Sequence, residues 1–235
     1  MIKNIFITGK PRSGKSTLLQ EVVSGLSKKV GFLTREIRVD MDRVGFELEN
    51  SIGHKAILAH IDFKNMSQVG KYGVDIKALE SILPEISNYS EDDILYIDEI
   101  GQMQLVSENF KEIVLKFANS RNIFIATISQ IYSHPFIEDL KNRKDAIVID
   151  LSESDIEKQK DFVKAIIGKI GRAKRYMSEP NRFTISNDKA VLKSEHGARH
   201  LLLLDTIWKC DCDFFSQHQI CSHSMAVVEL SMNVA

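Results

Sequence analysis

The stretch NIFITGKPRSGKST, residues 4–17, decides how the rest of the chain is read. Its β-branched and aromatic start has the composition of a short buried strand. Gly9, Gly14, Lys15 and Ser16 then fit G-x-x-x-x-G-K-[ST]. Apolar residues recur at helical spacing through LLQEVVSGLSKK, residues 18–29. Strand, glycine-rich turn and helix in succession open a doubly wound α/β domain. The composition of the turn follows from what it would hold. Backbone N–H groups converge on a phosphate only where side chains leave room, and glycines permit the bends. A helix starting near Lys15 points its positive end at the anion. Gly9, Lys10, Pro11, Arg12, Ser13, Gly14, Lys15, Ser16 and Thr17 are the expected lining of this cradle. Lys15 would reach the β- and γ-phosphates and the Ser16 hydroxyl would ligate Mg²⁺, with Thr17 supporting the cradle.

Strand-like and helix-like runs alternate downstream. VGFLTREIRV (30–39), VGFELEN (44–50) and KAILAHID (55–62) have no helix between them and suggest an antiparallel insertion. VDIKALESILPEIS (74–87) reads as a helix. DILYIDEI (93–100) is nearly all apolar up to its acidic end, as a central parallel strand would be. Asp98 at that end could hold Mg²⁺ through water. Glu99 beside it could orient or deprotonate a water for in-line attack on the γ-phosphate. A small-molecule kinase needs no such group, so the Asp-Glu pair favours a hydrolase over a nucleoside or nucleotide kinase. NIFIATIS (122–129) is the expected neighbouring strand, with Thr127, Ser129 or Gln130 as candidate γ-phosphate sensors. Arg12, Arg35, Lys71 and Arg143 are candidate transition-state cations. NRKD (142–145) lacks the lysine position of a guanine-reading N-K-x-D and predicts no base preference.

The 235 residues are 43% hydrophobic and 27% charged, with a net charge of −1. That composition suits a globular chain and gives no global reason for a polyanion or membrane partner. No apolar run approaches the roughly 20 residues of a spanning helix, and the start is too short for a secretory signal. The expectation is a cytoplasmic protein. SESDIEKQKDFVKAIIG (152–168) predicts a closing helix capped by Ser152 or Ser154 and stopped at Gly168. KIGRAKRYMSEPN (169–181) is basic and contains Gly and Pro, so it predicts a linker. Residues 1–168 and 182–235 would then be separate domains.

The segments ITGKPRSGKSTLL, VGFLTREIR…RVGFEL, VGKYGVDI, ILYIDEIGQMQL and the HP of YSHPFIEDL occur in an order that resembles the small P-loop nucleoside-triphosphatases of thermophiles. The resemblance covers about residues 1–168. It implies a RecA-like sheet, with Asp98 and Glu99 at its carboxyl edge, and slow hydrolysis of ATP, GTP and other triphosphates to diphosphate and phosphate. Gln102 stands before Met103 where that family commonly has proline, and Arg12 is unusual in its cradle.

All three cysteines of the chain fall in CDCDFFSQHQICSH, residues 210–223. Cys210, Cys212, Cys221 and His223 form C-x-C-x8-C-x-H, a closed Cys₃His set for structural Zn²⁺. His218 is the competing histidine. A domain of some fifty residues has a thin core, and a metal would supply the missing folding energy. The spacing resembles the SWIM zinc finger over roughly residues 182–232. It implies a small zinc-stabilised α+β module for protein, DNA or RNA interaction. Phe214, Phe215 and Trp208 could stack on bases or fill the module's core. RFTISN (182–187) and KAVLKSE (189–195) could pair as a hairpin, RHLLLLDTIWKCDC (199–212) reads as one strand and SHSMAVVELSM (222–232) as a helix. Three functions remain open: an Mg²⁺-dependent nucleoside triphosphatase, a nucleic-acid-associated factor whose NTP cycle controls binding, or a nucleoside or nucleotide kinase in which Glu99 is incidental.

Overall fold

The computed structural model describes every residue except Asn65, Glu153, Ser154 and residues 233–235. It divides into two compact units, Lys3–Lys160 and Asp161–Ala235 with Met1–Ile2. In the larger unit, five parallel strands form one side of a nine-stranded sheet, out to its β9 edge. They are β1 (Asn4–Thr8), β2 (Lys29–Val39), β7 (Ile94–Ile100), β8 (Phe124–Ile128) and β9 (Ala146–Asp150), in the order β2-β7-β8-β1-β9. β1 and β8 are buried at every residue, which explains their unbroken apolar sequence. β2 pairs in parallel with β7 through Lys29–Phe32 and then antiparallel with β3 (Asp42–Asn50). β3 leads to β4 (Lys55–His60) and to the short strands β5 (Ser67–Val69) and β6 (Tyr72–Val74), all antiparallel. The insertion is thus a four-stranded wing on an α/β sheet.

Helices α1 (Lys15–Ser24), α2 (Ile76–Ile86), α3 (Glu108–Asn119) and α4 (Pro135–Lys141) connect the strands. Asp75 caps α2 by accepting from the N–H groups of Lys77 and Ala78, and Ser107 caps α3. His134 caps α4 and Pro135 opens it, so the HP pair is a helix start. The core includes Phe6, Phe117 and Phe124, whose rings meet edge to face at 5.9 and 5.5 Å.

Helix α5 runs Ile156–Met177, past the stop expected at Gly168 and through most of the expected linker. Its buried residues Val163, Ile166, Ile170, Ala173 and Tyr176 keep three- and four-residue spacing across both Gly168 and Gly171. A continuous apolar stripe outweighs two glycines. The division of the chain into units falls within this helix, at Lys160/Asp161, and not at 168, and residues 169–177 are helical in place of the expected linker. Asp155, not Ser152, accepts from the N–H groups of Glu157 and Lys158 at the helix start. Ser154 lies outside the described residues.

The smaller unit continues with β10 (Phe183–Ile185), β11 (Lys189–Ser194), β12 (Gly197–Leu204) and β13 (Ile207–Cys210), an antiparallel meander. Residues 199–212 therefore form a hairpin rather than one strand. Asp205 and Thr206 both take positive φ, 49° and 69°, in its two-residue turn. Helices α6 (Asp213–His218) and α7 (Ser222–Met232) follow. Ala190, Leu201, Trp208, Phe215 and Val227 make a small core together with the three cysteines. Trp208 and Phe215 are buried there and offer no exposed stacking face. Among the described residues, no helix is long and apolar enough to cross a membrane.

Candidate functional site

The loop between β1 and α1 turns on Gly9 (φ 153°), Arg12 (φ 66°) and Gly14 (φ 87°). A side chain at Gly9 would place its Cβ 2.6 Å from Ser13 Oγ. Ser13 Oγ is itself buried without a hydrogen-bond partner. The loop is therefore closed to side chains on its inner face and carries an orphan polar atom, which fits a phosphate-binding cradle. Lys15 Nζ lies across it, donating to the carbonyls of Gly9 (2.9 Å) and Lys10 (3.3 Å). Arg12 supplies the left-handed conformation usually left to glycine, with its side chain exposed.

Asp98, near the end of β7, is 1% exposed. Its Oδ1 accepts from Ser16 Oγ (2.9 Å) and Thr127 Oγ1 (2.5 Å). Thr34 Oγ1 of β2 donates to its backbone carbonyl. Three strands and the cradle helix thus converge on one carboxylate. Burial pushes the Asp98 pKa up, while the bonds from Thr127 and Ser16 pull against it. Burial also raises the pKa of Glu99, opposed by the Lys15 charge and reinforced by Asp98. Ser16 and Asp98 place two oxygens side by side, the donor set a hard cation such as Mg²⁺ takes.

These groups line a cleft of about 670 Å³, together with Gln102, Met103, Ser129, Gln130 and Tyr132. Thr127 is committed to Asp98. Gln130 donates to Asp150 Oδ2 at 3.1 Å, and Ser129 Oγ accepts from the Tyr132 N–H. Arg35 pairs with Glu49, and Lys71 lies 5.5 Å from the Tyr72 ring centre. Arg143 pairs with Asp145 at 2.9 Å, and the Asp145 carbonyl accepts from Lys3 and Asn4. That places Arg143 where β1 begins, at the opposite end of the strand from the cradle. Arg12 alone of the four candidate cations borders the cleft.

Sequence reasoning missed the far wall. Glu36, Arg43, Phe46, Leu58 and Val69 from the antiparallel wing also line the cleft. Arg43 is fixed by Glu36 at 2.8 Å, by Tyr72 Oη at 3.1 Å and by the Phe46 ring at 5.0 Å. The TREIR and RVGFEL segments carried that signal, but residue type alone does not say which strand faces which.

In the smaller unit, ligand atoms of Cys210, Cys212, Cys221 and His223 all lie within 4.8 Å of one another. Cys210 ends β13 and Cys212 precedes α6. Cys221 immediately precedes α7, where the Ser224 N–H donates to its Sγ at 3.3 Å. A hydrogen bond with Cys210 foremost, then bonds from His223 and Ser224, hold the Cys221 thiol well below its ordinary range. His218 stands apart, between the rings of Phe162 (4.8 Å) and Phe214 (4.5 Å).

The NTPase family profile matches residues 4–167. The nucleoside-triphosphatase THEP1 of Thermotoga sp. (strain RQ2) is 40% identical over 153 residues, 64% of this chain and 87% of that protein. The THEP1 of Natranaerobius thermophilus is 41% identical over 158 residues, covering 65% and 89%. The crystal structure of THEP1 from the hyperthermophile Aquifex aeolicus aligns with a TM-score of 0.63 at 28% identity, over 70% of this chain and 98% of that one. The solution structure of a human cancer-related nucleoside triphosphatase aligns at 0.59 and 27% identity, over 71% and 98%. The match takes in the cradle, β7 and the wing, and on these grounds the chain belongs to the NTPase family of nucleoside-triphosphatases.

Proposed function

We propose that the larger unit hydrolyses nucleoside triphosphates to diphosphate and phosphate with Mg²⁺, Glu99 acting as general base. The observation that carries this is the Ser16–Asp98 contact of 2.9 Å beside a half-buried Glu99 of raised pKa. The loop amides and Lys15 bind and orient the phosphates, and Lys15 meets charge developing on the γ-phosphoryl. Ser16 and Asp98 would hold Mg²⁺, which when bound neutralises phosphate charge. Glu99 takes a proton from water as its oxygen bonds the γ-phosphorus and the bond to the β-bridging oxygen breaks; that proton then leaves to solvent. Burial of Glu99 supports the role, because a base with a raised pKa accepts a proton more readily. ATP, GTP and other triphosphates are proposed as substrates alike. The only sequence resembling a base-reading motif sits at the far end of β1, with Arg143 and Asp145 paired to each other.

Cys210, Cys212, Cys221 and His223 are proposed to hold structural Zn²⁺ in a SWIM-like module. Their donor atoms already lie nearly as close as the roughly 3.8 Å that tetrahedral Zn–S bonds of about 2.3 Å require. A Cys₃His set leaves no open position, so the metal would stabilise fold rather than turn over substrate.

Phosphate release from the four ribonucleotides, with Mg²⁺ and without an acceptor, tests the main reading. Release from each, abolished by Lys15→Ala in a folded protein, is expected. Release that persists in Lys15→Ala refutes the cradle, and transfer only to an added hydroxyl acceptor would make the chain a kinase.

A further inference from the structure

The smaller unit contains a second concavity, of about 340 Å³, that hydrolysis does not use. Its lining includes Lys169, Arg172, His196, Arg199, Asp213 and Phe214. Lys169 and Arg172 are three residues apart on one face of α5. Arg199 comes from β12, two residues before the buried Leu201 and on the same strand face. A charge placed there loses water and is costly unless bonded. Yet the Arg199 side chain has no hydrogen-bond or ion-pair partner among the described residues, and its Nε is buried. Arg172 Nε is likewise buried without a hydrogen bond. Glu195 makes only a long ion pair with it, at 3.9 Å, and already holds Arg175 at 2.6 Å. Lys169 Nζ stands 4.3 Å from the Phe214 ring centre. Three cations stand against the carboxylate of Asp213 and the Cys₃His cluster, whose Cys212 and His223 also line the pocket; a positive excess remains, with two guanidinium Nε–H groups lacking a hydrogen bond.

We propose that this pocket binds a phosphomonoester dianion, either inorganic phosphate or the phosphate of a nucleoside monophosphate. The positive excess suits an anion, and the oxygens of a phosphate would accept from the guanidinium groups of Arg172 and Arg199 that line the pocket. The pocket is compact. Asp213 lines it, Glu195 lies 3.9 Å from Arg172 and the Asp211 carboxylate accepts from the His200 N–H beside Arg199, which suits one phosphate group better than the run of phosphates along a nucleic-acid strand. The site goes beyond the hydrolytic reading and does not depend on it.

The test follows the Nε–H resonances of Arg172 and Arg199 in full-length, zinc-loaded protein. Inorganic phosphate, AMP, adenosine and an oligonucleotide without terminal phosphate are titrated separately. Saturable shifts of both signals with phosphate or AMP, but not adenosine, are expected. Shifts with phosphate alone identify the free anion as the ligand, and stronger shifts with AMP identify the nucleotide. The same shifts should appear in a Lys15→Ala background, which separates this pocket from the first cradle. Arg199→Ala, and Arg172→Gln as a second variant, should each weaken binding about tenfold or more while zinc content stays unchanged. Absent shifts at millimolar ligand overturn the proposal. So does an unphosphorylated oligonucleotide acting as well as AMP, which would mark a general polyanion surface. Loss of zinc in both variants would show that the cations merely offset the thiolate charge, and would also overturn it.

Discussion

At the scale of single residues, the site is organised around Asp98. Its Oδ1 draws one donor from the cradle helix and one from β8, while Thr34 of β2 holds its carbonyl. Thr127 read in sequence as a possible phosphate sensor, but its hydroxyl is spent on this carboxylate. Thr127→Val should leave a buried carboxylate with one donor fewer. The Asp98 pKa then rises further and metal binding weakens, so the Mg²⁺ concentration for half-maximal hydrolysis should increase about tenfold. An unchanged Mg²⁺ dependence would show that the bond is only structural. Glu99 gives a pH prediction. Its pKa is raised by burial, and as the proposed general base it acts only when ionised. Hydrolysis should therefore fall as pH drops through a value above the ordinary glutamate range, and stay flat above it. A profile of hydrolysis against pH at saturating nucleotide reads this; an acid limb at or below the ordinary range would contradict it. The residues that place Asp98 and Glu99 were legible because cradle and acidic strand end occur in order. The Arg43–Glu36 wall was not, since its position depends on strands that pair across the sheet.

At the scale of elements, apolar period predicted better than punctuation did. β1, β7 and β8 were readable as buried strands, and their parallel pairing follows from the helices between them. Helix α5 shows the reverse case. Gly168 read as a stop and Gly171 as part of a linker, yet the stripe from Val163 to Tyr176 continues beneath them. Nothing lies within 4 Å of a Cβ built at either glycine. Gly168→Ala and Gly171→Ala should therefore each stabilise the chain by about 0.5–1 kcal/mol, through helix propensity and a less flexible unfolded chain. Thermal unfolding of the single variants checks this, and a lowered midpoint would mean that the glycines are needed for close packing. The hairpin of β12 and β13 escaped sequence reading because Asp205-Thr206 is an uncommon pair for a turn with two positive φ values. Tertiary pairing imposes what the turn residues only permit.

At the scale of the whole molecule, the two units are stabilised in different ways. The larger has an extensive apolar core, with many side chains fully buried. The smaller has a thin core in which three of the buried groups are thiols. Structural zinc sites contribute about 10–16 kcal/mol of apparent free energy, far more than such a core supplies. Chelation should unfold the Asp161–Ala235 unit and spare Lys3–Lys160, seen as loss of Trp208 burial while hydrolysis continues. Retained Trp208 burial after complete metal removal would contradict the zinc assignment. The clustering of every cysteine in one segment was the legible sign of this division; the point where α5 crosses it was not. In the proposed mechanism hydrolysis rests on Glu99. The most direct test compares nucleotide binding and phosphate release in the full chain and in Glu99→Gln. Unchanged binding with release slowed about 10²–10⁴-fold is the predicted result, and release at the unaltered rate would contradict it.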